Sequence, residues 1–191
     1  MLLCFLATLS LEESPFKDKN VLVAYYSRTG HTKDIAEIIK KETNADIFEI
    51  KTTEKDKYSD NYFVSVWQST KHIITGFLPE LSTSIDTKKY DVIFVGTPVW
   101  CWTASRPVAS WIKQQDTNGK IIIPFASLGS SGFDGAVKAM KKLAPGATFV
   151  DGFKSIEKRP YPNLEKAISD WISNINVSES EKPAGNDSKE L

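Results

Sequence analysis

Cysteine is scarce in this chain of 191 residues. Only Cys4 and Cys101 occur, too few for a disulfide framework, so a reducing compartment and a cytoplasmic location are the expectation. Excess charge of either sign is missing as well. Lys+Arg and Asp+Glu both number 24, so no basic field invites nucleic acid and no acidic surplus invites a basic partner. Long apolar runs are also lacking. Met1–Leu11 is uncharged and mostly apolar, but it falls far short of the roughly 20 residues a membrane helix needs. It reads either as a signal-peptide core, with Thr8 and Ser10 near a cleavage point, or as a stray N-terminal extension; no Lys or Arg precedes it. From Asn176 the chain is polar, and a disordered tail is expected. Asn176-Val-Ser and Asn186-Asp-Ser match the glycosylation pattern, which matters only on secretion, and the final Lys-Glu-Leu is a poor retention signal. The expected organisation is an extension or leader over 1–19, one domain over 20–175 and a tail over 176–191. With 41% hydrophobic residues, the chain can bury a single core.

What is present is concentrated in Val21-Leu-Val-Ala-Tyr-Tyr-Ser27-Arg28-Thr29-Gly30-His31-Thr32, an apolar run that breaks into hydroxyls around one glycine. A buried strand opening through such a turn into a helix offers backbone N–H groups, three hydroxyls and a helix dipole to one anion. No Lys follows the glycine and no second glycine precedes it, which argues against a nucleoside triphosphate or dinucleotide and leaves one terminal phosphate. The same residues would also serve as a hydroxyl-rich cap on an ordinary helix. Arg28 can meet the phosphate or point to solvent, and His31 can be a solvated helix residue or a proton donor.

Periodicity alternates along the rest of the chain. Strands are expected at Val21–Tyr26, Ala45–Ile50, Asp91–Gly96, Lys120–Ala126 and Ala147–Phe153, with Pro124 near a strand end. Helices are expected at His31–Thr43, Asp60–Gly76, Thr103–Gln115, Gly132–Leu143 and Pro162–Ile175. Strands alternating with crossovers of this length make an α/β protein, a doubly wound parallel sheet between two helical layers. Ligands in such sheets sit outside the carboxyl ends of the strands.

The unusual residues fall at those ends. Beside Ser27–Thr32 come Thr97, Pro98, Val99, Trp100, Cys101, Trp102 and Thr103, then Ser127, Leu128, Gly129, Ser130, Ser131, Gly132 and Phe133. Trp100 and Trp102 place two indoles where a flat ring could stack, whereas Trp67, Trp111 and Trp171 read as core packing on helix faces. The glycine-rich third loop can bring backbone donors to a ring edge. Cys101 reads as a small hydrophobe or a redox thiol. No catalytic residue and no metal ligand is assigned.

Three motifs carry a family resemblance: Tyr26-Ser-Arg-Thr-Gly-His-Thr32, Gly96-Thr-Pro-Val-Trp100 and Ile123-Pro-Phe-Ala-Ser-Leu-Gly-Ser-Ser-Gly132. From about Val21 to Ile175 the chain resembles the short-chain flavodoxins, in a tryptophan-rich branch. The resemblance implies a five-stranded sheet in the order 2-1-3-4-5 and non-covalent FMN held by the three loops. It also implies electron transfer with a redox protein or a small quinone-like acceptor, by a monomer or weak dimer. This chain departs from the family pattern in its balanced charge, in a third loop without tyrosine, and in Trp102 where relatives tend to carry glycine. Three functions follow: an electron carrier, an FMN-dependent NAD(P)H quinone-type reductase, or a binding module without redox activity.

Overall fold

The computed structural model describes residues 14–59, 61–130 and 132–177. The leader reading of Met1–Leu11, Cys4, Asp60, Ser131 and all of the tail beyond Val177 lie outside these residues. The elements are β1 (Val21–Tyr25), α1 (His31–Thr43), β2 (Asp46–Glu49), α2 (Tyr62–Thr75) and β3 (Val92–Trp100). They continue as β4 (Thr103–Ala104), α3 (Arg106–Gln114), β5 (Ile121–Leu128), α4 (Phe133–Leu143), β6 (Thr148–Phe149), β7 (Phe153–Ile156) and α5 (Leu164–Ser173).

The sheet runs β2-β1-β3-β5-β6, with β7 continuing the edge on β5 and every one of these pairings parallel. Its five positions reproduce the order expected from the sequence. Because both faces are covered, β1 is buried at every residue, which explains its unbroken apolar run. Val21, Val23 and Tyr25 join a core with Ile35 and Ile39 of α1 and Ile168 and Ile172 of α5. Leu22 and Ala24 join a second core with Val108, Trp111 and Ile112 of α3 and Met140 of α4.

The central strands differ from expectation in two places, and in both proline's missing N–H falls where no ladder bond needs it. Pro124 lies within β5 rather than near its end. The Ile122 carbonyl accepts from the Val150 N–H at 3.1 Å, so Pro124, two residues on, also faces the edge strand. There the fifth strand is broken into β6 and β7 by Val150, Asp151 and Gly152, one residue more than β5 spends between the two paired segments. A Cβ at Gly152 would overlap the Pro124 carbonyl oxygen, so the bulge requires glycine. β3 likewise continues through Thr97 and Pro98 instead of turning there. Tyr26 N–H donates to the Gly96 carbonyl at 3.1 Å, so Pro98 faces the same side, beyond the end of β1, where no partner exists to miss its donor.

Helix α3 begins at Arg106 rather than Thr103, with Ser105 at the N-cap position and Pro107 in the first turn. Lys120 is buried, and its ammonium donates to the carbonyls of Tyr90 (2.7 Å) and Thr87 (2.9 Å), closing the lower edge of the sheet. Trp111 is buried and Trp171 packs against Phe94 and Phe153, as their helical positions suggested. Trp67 does not: it is 64% exposed.

Phe94 is fully buried on β3, edge-on to Phe16 (5.4 Å) and Trp171 (5.8 Å). Phe94→Ala is expected to lower unfolding free energy by about 3–5 kcal/mol. Urea denaturation checks this: the midpoint should fall with an unchanged slope, and a loss below about 1 kcal/mol would contradict the packing.

Candidate functional site

The chain from Tyr26 to Gly30 turns where the strand ladder stops. Ser27 Oγ accepts the Gly30 N–H at 3.1 Å, and Gly30 takes φ 97°, a conformation available to glycine at little cost. Helix α1 then starts with no side-chain cap; its first intrahelical bond runs from Asp34 N–H to the Gly30 carbonyl at 2.9 Å. Its leading N–H groups are therefore without the hydroxyl cap that the alternative reading of this motif required. Thr32 is buried, with its hydroxyl 2.8 Å from that of Ser127, which ties this turn to the end of β5 across the top of β3.

β3 ends in a hairpin. Val99 pairs with Ala104 and Trp100 with Thr103, and the two turn residues Cys101 and Trp102 have φ 47° and 60°. Two positive φ values in a two-residue turn are the type I′ signature, normally occupied by Asn and Gly. Non-glycine residues there cost about 1–2 kcal/mol each, so the surroundings must hold them. Thr97 Oγ1 accepts the Ser105 N–H at 2.9 Å and locks the base of the hairpin. Its tip lies on α4, where a Cβ at Gly135 would overlap the Trp102 carbonyl oxygen and one at Gly132 would sit 2.8 Å from Trp102 Cα. Gly132 itself has φ 104° and opens α4.

These loops enclose a cavity of about 610 Å³, within the usual range for small-ligand sites. Twelve of the residues singled out from the sequence line it: Arg28, Thr29, His31, Pro98, Val99, Trp100, Cys101, Trp102, Ser127, Leu128, Gly129 and Ser130. Ser27, Gly30, Thr32, Thr97, Thr103 and Gly132 do not; they shape the turns behind it. Phe133 turns to another depression, under the Lys154 ammonium at 5.9 Å.

Ser65, Val66, Ser69 and Glu157 also line the cavity, and the sequence reading missed all four. Trp67 of α2 reads as core packing from the sequence, yet it is 64% exposed, as are Phe63 (81%) and Ile74 (80%) on the same helix, while Ser65 and Ser69 are buried. The signal was there: two serines four apart on one face, opposite the large apolar residues. Glu157 follows β7, which outruns the expected fifth strand. Its carboxylate stands 4.0 Å from His31 Nε2 at the cavity rim. Tyr26, behind the first turn, has its phenol pushed up to about 12, mainly by burial, with the nearby Arg28 acting in the opposite direction.

A flavodoxin family model matches residues 20–175, and the chain belongs to the flavodoxin family. Among solved structures it is similar to a candidate flavoprotein from Bacteroides eggerthii, with 27% identity, TM-score 0.72 and coverage of 84% of this chain and 99% of that one. A second, from Bacteroides uniformis, has 27% identity, TM-score 0.70 and coverage of 81% and 97%. A flavoprotein from Lactobacillus acidophilus, in complex with FMN, has 25% identity, TM-score 0.64 and coverage of 71% and 93%. No curated protein matches the chain. Among the described residues no helix is long and apolar enough to cross a membrane.

His72, on α2, is held below the usual histidine value of 6.5, chiefly by burial and also by Lys71 and Arg106, against the pull of Asp56. Between that lowered value and 6.5 the unfolded chain binds the proton more readily, so stability falls as pH drops through this window. Urea midpoints measured from about pH 7 to about pH 5 should therefore decline more steeply in the wild type than in His72→Gln. Equal slopes would contradict the assignment.

Proposed function

We propose that the chain binds FMN in this cavity and works as an electron-transfer flavoprotein. The observation that carries the reading is the convergence of three strand-end loops on one space: Arg28, Thr29 and His31 at one part, Pro98–Trp102 and Ser127–Ser130 around the rest. The residues present suit the cofactor. The Thr29 hydroxyl, the uncapped start of α1 and the Arg28 cation suit a phosphate monoester. Trp100 and Trp102 suit the flat ring, whose edge can take backbone N–H groups from Gly129 and Ser130. Bound FMN supplies reversible one- and two-electron transfer; the chain supplies grip, orientation and shelter from water.

Zero net charge gives no long-range steering toward a partner. Contact at the cavity mouth instead has an apolar component, since Trp102 and Val66, which both line the cavity, are 69% and 41% exposed. A second reading, reduction of a small quinone-like acceptor with NAD(P)H, is favoured by the α2 wall, where Ser65, Val66 and Ser69 extend the lining beyond the three loops. NAD(P)H oxidation dependent on an added quinone separates it from the carrier role.

Three variants test the cradle. Thr29→Ala removes a hydrogen bond to an anion, and Gly30→Val forces a β-branched residue to φ 97°. Each should weaken FMN binding about tenfold or more while leaving riboflavin, which lacks the phosphate, little changed. His31→Ala should cost far less. Equal FMN affinities across the three variants in a fluorescence titration would refute the assignment.

A further inference from the structure

Trp100 is the indole at the end of β3 that lines the cavity, and two tyrosines back it. Tyr58 packs at 4.6 Å between ring centroids, tilted by 59°, and Tyr26 meets it edge-on at 5.8 Å. Tyr26 is fixed by the strand that precedes it. Tyr58 has no such support, since it lies in the irregular segment between Asp56 and α2, yet it is only 3% exposed. Hydrogen bonds to α2 fix this segment: the Tyr58 hydroxyl is 2.9 Å from His72 Nδ1, and the Ser59 N–H donates to Gln68 Oε1 at 3.0 Å. His72 in turn rests on Phe77 at 4.4 Å between centroids. Arg106 of α3 holds the helix end in place, donating from Nε to the Phe77 carbonyl and from Nη2 to that of Gly76, both at 2.7 Å.

We propose that Tyr58 and His72 are a positioning pair for Trp100, fixing the indole in the orientation it uses against the flavin ring. The inference rests on the reading of Trp100 as a ring neighbour. It gives α2 control over ring affinity through a residue in none of the three ligand loops. An indole free to change rotamer must be ordered when the ring binds, and that ordering subtracts from affinity. A buried tyrosine behind it, itself tied down at the hydroxyl, meets the cost before the ligand arrives. The chemistry of the pair suits this role. Burial keeps the Tyr58 phenol protonated and His72 neutral, so with the proton on Nε2 the imidazole accepts at Nδ1 and the phenol donates.

Riboflavin, the ring and ribityl chain without phosphate, is the probe. Tyr58→Phe keeps the aromatic backing and removes the hydroxyl; His72→Gln removes the imidazole from the other end of the same bond. Each is expected to weaken riboflavin and FMN binding by the same factor, about two- to tenfold, the net worth of one hydrogen bond. In a Trp100→Leu background, Tyr58→Phe should produce no further loss, because no indole remains to be positioned, whereas a general structural effect would persist there. If Tyr58→Phe does not fold, His72→Gln in the two backgrounds carries the same test. Unchanged riboflavin affinity in both single variants, or a loss of full size in the Trp100→Leu background, overturns the inference. A wild-type protein that takes up neither flavin overturns the reading beneath it instead.

Discussion

The site depends on the central strand outrunning its neighbour. β3 has nine residues against five in β1, and the overhang carries Pro98, Val99 and Trp100 past the end of β1 to form one side of the cavity. A proline at the point where β1 stops is compatible with this, because its missing donor faces a position with no strand beside it. The hairpin that ends the overhang is held by Thr97 and Ser105 at its base and by two glycines of the α4 start under its tip. Non-glycine residues at positive φ persist only where surroundings over-determine them, and here the surroundings do. The hairpin that forms this wall is thus held by contacts within the fold itself.

The two other loops are coupled to each other as well as to this hairpin. The buried contact between Thr32 and Ser127 joins the start of α1 to the end of β5, with β3 between them in the sheet. Two hydroxyls that would read as ligand contacts are thereby drawn into the scaffold. At the rim, His31 faces Glu157 rather than standing alone over an anion. Both arrangements are consistent with a site built on backbone dipoles more than on side-chain charge, in a chain whose net charge is zero.

Much of this was legible in the sequence. The unbroken apolar run of β1 marked a strand buried on both faces, and the loops after β1, β3 and β5 marked themselves by their hydroxyls, indoles and glycines. The boundaries were less legible. Pro98 and Pro124 both looked like strand ends, but local preference could not show that one faces an empty edge and the other a bulge. Trp67 was misread for a different reason. Phe63, Val66, Trp67 and Ile74 recur at helical steps, and periodicity alone cannot say which side of an amphipathic helix faces inward when the inner side is built of small polar residues. The placement of Tyr58 behind Trp100 had no sequence signal, because it joins a loop to a strand end some forty residues away.

Backbone amide resonances followed during addition of FMN to the apoprotein test the central claim most directly, since they report each part of the cavity separately. The account predicts saturable shifts at Thr29, Gly30 and Thr32, at Trp100 and Trp102, and at Gly129 and Ser130, with the lower edge of the sheet around Lys120 unmoved. Shifts confined to one loop, or a perturbation centred away from these strand ends, would contradict it.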